Sequence, residues 1–285
     1  MKKRIITLLL IIVFSAWLMI SASADFGPKP SVVVTVEGLE GESYYVTLLS
    51  EKKSTGPYSK HDGPSDWMDA PEIWYKLDAY IDSDGFYFLG HYEDCSDSHR
   101  YEWGYYPPYT FKILIYFPGS DSFLVSGIYE RYAFDSYFTV DASALTEGGG
   151  ITARKSYEYG WELLSLVCRI VGTIAVELGI AWLFRYRTRR HLKVICAANA
   201  VTQTLLNVTL NIIDYSSGYL AFVFFFVLLE IAVFIIEGLI YRKPLSGADA
   251  ANSYKQRRPW AYAFAANLVS AVVGMLLARV IPGIF

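Results

Sequence analysis

Cysteine is scarce: there are three in 285 residues. Only Cys95 lies in the polar middle of the chain, which excludes a disulfide framework there. Histidine is nearly as rare, with four. No H-E-x-x-H, G-x-S-x-G or phosphate-loop pattern occurs, so no enzyme signature is legible and no cofactor is named. His191 is the only histidine near the hydrophobic half, which disfavours an intramembrane metalloprotease built on histidines. The net charge is −3 and no long basic tract accompanies the polar region, which argues against nucleic acid as a partner.

What is abundant is apolar. Hydrophobic residues make up 53% of the chain and concentrate at its two ends. Residues 1–24 have a basic start (Lys2, Lys3, Arg4), an apolar run and Ala22-Ser23-Ala24, the pattern of a secretory signal cleaved before Asp25. Four spans are expected at the other end, at about 161–184, 192–213, 219–241 and 260–281. Loop 185–193 carries Arg185, Arg187, Arg189, Arg190 and Lys193. Loop 242–259 carries Arg242, Lys243, Lys255, Arg257 and Arg258. The short turn 214–218 has no Lys or Arg, nor does the tail. The positive-inside rule makes both basic loops cytoplasmic, and residues 25–160 and the C-terminus extracytoplasmic.

Polar residues recur inside these spans. Asn199, Gln203, Asn207 and Asn211 follow strict four-residue steps, and Glu230 and Glu237 lie one heptad apart on nearly the same helical face. Arg169, Glu177 and Asn267 join them. An ionised acid at mid-bilayer costs about 2.5–3.5 kcal/mol on insertion scales, so such groups face protein or water. An Arg169–Glu230 pairing would lower that cost. Residues Ala263, Asn267, Ser270, Ala271, Gly274 and Ala278 form a small-residue seam for close helix approach. Two readings stand side by side: hydrogen bonds that lock a bundle, or a site for a cation, proton or small polar solute at Glu177, Glu230, Glu237, Asn199, Gln203, Asn207, Asn267 and Arg169.

Residues 25–141 read as β structure. Strand-like runs Ser31–Val36 and Tyr44–Leu49 flank a Gly-containing connection that looks like a hairpin. A short helix is expected after Asp69 and Pro71, with an apolar stripe of Ile73, Trp74, Leu77, Tyr80 and Ile81. Thr110–Phe117, Ser122–Gly127 and Tyr137–Val140 supply further strands. The expected fold is an all-β sandwich of immunoglobulin-like type, then a linker (142–160), then an all-α four-helix transmembrane bundle (161–285). His91, Glu93, Asp94, Cys95, Asp97 and His99 crowd into nine residues with metal-ligand types, yet match no closed zinc spacing and equally suit a solvated acidic loop. Trp103, Tyr105, Tyr106 and Tyr109 are candidate surface aromatics for a sugar or protein partner, or else core.

The stretches PKPSVVVTVEGLEGESYYVTLLSEKKSTGPYS and TFKILIYFPGSDSFLVSGIYERYAFDSYFTVD resemble a group of uncharacterised membrane proteins of Clostridia-type Gram-positive bacteria. That group is similar across nearly the whole chain and has a signal peptide, a β ectodomain and four spans. The resemblance implies a bacterial plasma-membrane setting and carries no activity. The expected function is a binding, interaction or sensory protein in the lipid bilayer, working with a membrane partner or as a homo-oligomer. The alternative is a transporter or channel component using the intramembrane carboxylates and amides.

Overall fold

The structure, a computed structural model, describes residues 27–60, 63–64, 70–142, 150–246 and 258–280. The proposed signal segment, Asp69, Lys255, Arg257 and the C-terminal tail lie outside these. Strands fill the N-terminal half, and five helices are described.

Eleven strands are present among the described residues: β1 (Ser31–Glu37), β2 (Tyr45–Ser50), β3 (Ser54–Thr55), β4 (Tyr58–Ser59), β5 (Tyr92–Asp94), β6 (Arg100–Trp103), β7 (Thr110–Phe117), β8 (Ser122–Val125), β9 (Tyr129–Glu130), β10 (Asp135–Asp141) and β11 (Ala153–Lys155). One sheet has the order β11-β10-β1-β6, a second β5-β2-β7-β8 with β9 also on β7, and β3 and β4 form a small ribbon. The expected β1–β2 hairpin does not form. Gly38 and Gly41, both at φ 84°, carry the chain from one sheet to the other, and buried Leu39 is inserted into the core between them. β1 instead pairs in parallel with β10 and antiparallel with β6.

Alternation along the strands explains the layering. Val32, Val34 and Val36 of β1 and Phe111, Ile113 and Ile115 of β7 meet in one buried cluster with Tyr101, Trp103 and Phe138. Each such side chain contributes about 1.5–3 kcal/mol by leaving water. The other face of β7 turns Leu114 and Tyr116 toward α1 (Pro71–Ala79), whose Ile73, Trp74 and Leu77 cover it. The helix is where the sequence puts it, but it stops at Ala79, so Ile81 is 91% exposed rather than part of the apolar stripe.

Two further differences concern segments read as loop or linker. The acidic stretch after Gly90 contains β5 and β6, because Tyr101 and Trp103 pull it into the core while Glu93 and Glu102 stay toward its margin. Past Ala142 the chain returns as β11 to pair with β10, so the β region reaches Lys155 before the membrane-type helices begin.

The remaining helices are α2 (Tyr159–Leu183), α3 (Arg189–Ser217), α4 (Tyr219–Tyr241) and α5 (Pro259–Val280). They pack in a ring, α2 on α3, α3 on α4, α4 on α5 and α5 back on α2. Among the described residues three helical segments, Tyr159–Leu183, Tyr219–Tyr241 and Pro259–Leu277, are long and apolar enough to cross a membrane, which suggests a bilayer environment. Of the four spans expected from the sequence, three qualify on these grounds. α3 does not qualify by composition, since its amides and the charges of Arg189, Arg190, Lys193 and Asp214 dilute its apolar character. It is nonetheless 29 residues long and takes its place in the ring.

Candidate functional site

The polar residues of α3 point into the bundle. Asn199 is fully enclosed, and Thr202, Gln203 and Asn207 are nearly so, recurring on the same side as Ile195, Leu206 and Leu210. This is an amphipathic helix turned inside out, with amides toward its neighbours and Val201, Leu205 and Ile212 outward. Asn211, at the end of the stripe, is half-buried.

Two carboxylates meet this face, and both are 0% exposed. Glu177 of α2 accepts a hydrogen bond from Asn199 Nδ2 at 2.6 Å, and the same amide donates to the Tyr241 hydroxyl of α4 at 3.1 Å. Glu237 of α4 accepts from Thr202 Oγ1 at 2.7 Å and from Asn267 Nδ2 of α5 at 2.8 Å. Asn199 and Thr202 are three residues apart on α3, so the two acids are held about one helical turn from one another. Tyr262 of α5 adds a hydrogen bond from its hydroxyl to the Glu177 backbone carbonyl at 3.3 Å. All four helices therefore contribute to one polar layer.

Apolar packing closes the layer above and below. On the side of the α2–α3 turn stand Ala181, Tyr186, Ile195, Tyr241, Leu245, Ala263 and Ala266. On the other side stand Leu206, Leu210 and Val233, backed by Phe222, Phe225 and Phe226. Small residues allow the approach: Ala263 and Ala266 are fully buried, and a methyl group at Gly238 would lie 2.4 Å from the Trp260 ring.

No Lys, Arg or His among the described residues bonds either carboxylate. Glu177 Oε1, Asn199 Oδ1 and Asn267 Oδ1 are buried acceptors without a hydrogen-bond partner. Two ionised carboxylates enclosed without a countercharge would each cost several kcal/mol. Beyond locking the helices together, such a layer would lower that cost by taking up positive charge, as a proton or a small cation coordinated by oxygen. No three His, Cys, Asp or Glu side chains among the described residues converge closely enough to hold a metal by themselves. A cation here would have to use amide and hydroxyl oxygens as well.

The other intramembrane candidates separate from this layer. Glu230 is half-buried, with one enclosed carboxylate oxygen lacking a partner, and Gln203 Nε2 likewise has none. The Arg169–Glu230 pair does not form; the Arg169 guanidinium lies over the Phe222 ring at 5.9 Å. Asn207 bonds back to the Gln203 carbonyl at 2.9 Å within its own helix. Thr202, Tyr241 and Tyr262 were missed by sequence reasoning. Thr202 could have been found from its spacing to Asn199, and Tyr241 from its position one turn beyond Glu237.

In the β region the clustered metal-type residues are used for packing. His91 stacks on Trp103 at 4.8 Å and meets the Tyr101 hydroxyl through Nδ1 at 2.9 Å, and burial pushes its pKa down to about 4. Glu93 accepts from the Glu102 backbone amide, Asp94 from Ser96, and His99 contacts the Tyr44 hydroxyl. Cys95 is fully buried, and burial, together with nearby Glu93 and Asp94, pushes its thiol up to about 12. Asp97 is on the surface and joins no such group. Trp103 is likewise core, fully buried with its indole N–H donating to the Tyr105 carbonyl at 3.0 Å. Tyr105 and Tyr109 are exposed and Tyr106 is half-buried.

The two halves meet at the short α3–α4 turn. The Phe134 amide donates to the Tyr215 carbonyl at 2.8 Å, and the Tyr132 and Tyr157 rings flank the Tyr215 ring at 6.5 and 5.3 Å. Gly218, at φ 79°, abuts the Phe134 ring so closely that a methyl group there would lie 2.5 Å from it. No protein-family model matches this chain, and none of the curated proteins is significantly similar to it.

Proposed function

We propose that the chain is a multi-pass plasma-membrane protein of a Gram-positive bacterium whose exported β-sandwich binds a ligand or partner and passes that event to the helices. In this reading all four long helices cross the bilayer, α3 included because its amides face inward. Residues 25–160 are extracytoplasmic, and the basic loops 185–193 and 242–259 are cytoplasmic. The observation that carries it is the joint at Tyr215. The β region docks on the one inter-helix turn that lacks Lys and Arg, which is the end that charge bias assigns to the outside. A ligand-responsive domain fixed to a helix pair by a backbone hydrogen bond and an interlocked glycine has a physical route into the bundle.

The test is cooperativity of unfolding in the full-length protein in detergent. The wild type should melt in one transition by calorimetry. Gly218→Ala and Phe134→Ala should split it into two, with the β-region transition near its original temperature. One unsplit transition in both variants, or two already in the wild type, would overturn the coupling.

A second reading, a transport component completed by oligomerisation or a partner chain, is favoured by the enclosed Glu177–Glu237 layer. The melting temperature should then respond to Na+ or to pH in the wild type and lose that response in the Glu177→Gln, Glu237→Gln double variant, which should still fold. An undiminished response in the double variant, or none in the wild type, removes this reading.

A further inference from the structure

A cavity of 390 Å³ opens on the β region, between the β2–β3 connection and the β6–β7 loop. Its floor is aromatic and prolyl: Tyr106, Pro107, Pro108 and Tyr109 follow one another along the β6–β7 loop. The loop is held in shape rather than merely draped. Tyr106 sits in the left-handed region at φ 54°, its carbonyl accepts from Thr55 Oγ1 at 2.9 Å, and a methyl group at Gly56 would lie 2.4 Å from the Tyr106 side chain. An L-residue held at that φ is strained, and the surrounding contacts must offset that strain.

Two cations face the cavity. Arg131 packs its guanidinium over the Tyr109 ring at 5.8 Å, its backbone amide donates to the Tyr109 carbonyl at 2.9 Å, and its Nε is enclosed without any hydrogen-bond partner. No carboxylate among the described residues pairs with Arg131 or with Lys52, the second cation. Glu51 is the one acid in the lining, so the balance is positive. Hydroxyls of Ser54 and Thr55 complete the wall.

We infer that this cavity binds a small acidic sugar, a ring whose apolar face lies on Tyr109 and whose carboxylate meets Arg131; the Tyr106 ring is already engaged by Lys29, whose Nζ lies 5.2 Å from its centroid. Each requirement has its residue. A guanidinium with no carboxylate partner among the described residues recognises carboxylate in a planar fork, an aromatic face takes the C–H face of a pyranose, and short hydroxyl side chains suit ring hydroxyls. The site bears on signalling as well. Arg131 stands three residues before Phe134, the residue bonded to Tyr215 at the helix turn, so an occupant pulling on Arg131 acts on the segment that joins the two halves. The inference rests on the β region being the binding part of the protein.

The experiment titrates the full-length protein in detergent with D-glucuronate, D-glucose and acetate, followed by calorimetry. Glucuronate should bind, and glucose and acetate each at least tenfold more weakly, because each lacks one half of the recognition. Arg131→Gln should weaken glucuronate at least tenfold. Lys52→Gln, at an exposed position where folding is not at issue, should weaken it severalfold. Tyr109→Ala should weaken glucuronate and leave acetate unchanged. Equal binding of glucose and glucuronate, acetate binding as tightly as glucuronate, or unaltered binding in Arg131→Gln would overturn the assignment. The cooperativity test of the Tyr215 joint is a separate measurement, so failure here leaves the coupling standing, and failure there leaves the site.

Discussion

Replacing Lys112 by Met should cost the β region about 3–5 kcal/mol, the usual penalty for stripping one partner from a buried ion pair. Lys112 lies on the α1-facing side of β7 and is 3% exposed; Asp82 is 5% exposed. The ammonium donates to both Asp82 oxygens at 2.8 and 3.0 Å and to Asp84 at 2.5 Å. Asp82 also accepts the backbone amides of Asp84 and Phe86 at 3.0 and 3.2 Å. Without the ammonium, the carboxylate stays enclosed with two amide donors and no countercharge. For a domain of this size the loss corresponds to a fall in melting temperature of roughly 10–20 °C. Pairing Lys112→Met with Asp82→Leu should restore most of it, since a buried pair replaced by apolar groups is often neutral.

The pH dependence of this pair is also fixed in sign. Burial alone would raise the Asp82 carboxyl, but hydrogen bonds from Lys112, Phe86 and Asp84 hold it below its ordinary 3.8. Its stabilising contribution is therefore complete above that value and is lost as the pH falls further. Burial would lower Lys112, yet Asp82 and Asp84 raise it above its ordinary 10.5, so its contribution is complete below 10.5 and is lost as pH rises beyond the folded value. Between about pH 5 and 10 this pair should add no pH dependence to the thermal stability of the wild type. A fall of under about 3 °C in Lys112→Met, or a double variant no better than the single one, would refute the account.

Trp103→Ala should destabilise the β region by about 3–5 kcal/mol through the cavity left between Tyr58, His91 and the strands, read as a lowered urea midpoint. Cys95 should resist a maleimide at pH 8 until denaturant is added, because its thiol is enclosed and held far from ionisation; labelling of the native protein at Cys95, located by mass spectrometry, would contradict its placement.

The chemistry of the bundle was largely written in the sequence, since Glu177, Glu237, Asn199 and Asn267 stand out against apolar surroundings and do meet. What spacing could not say is which acids pair with what. Glu230 shares a heptad face with Glu237, yet α4 turns only the latter fully inward. Tyr241 at the end of an apolar run reads as an interfacial aromatic, and only packing makes it a hydrogen-bond partner of Asn199. α3 falls short of a span by hydropathy because its amides lower the mean, and those amides are the groups hidden inside the bundle. In the β region long strands were legible from their β-branched runs. β5 and β6 were not, since runs of three and four residues set among Asp, Ser and Glu are too short to stand out, even though Arg100–Trp103 alternates. The Gly38 and Gly41 connection was read as a tight hairpin because turn chemistry is local, while the choice of sheet is made by β6 and β10 far along the chain.

That last arrangement sets the order in which the protein can be made. Ser31 is matched with Asp135, so a valine-rich segment emerges more than a hundred residues ahead of the strand that will flank it. At ribosomal speeds of about 5–20 residues per second the wait is roughly 5–20 s. Val32, Val33 and Val34 lack both neighbours until Arg100–Trp103 has emerged, and lack β10 for the rest of the wait. A chain truncated before Asp135 would expose a sticky edge rather than a smaller folded unit.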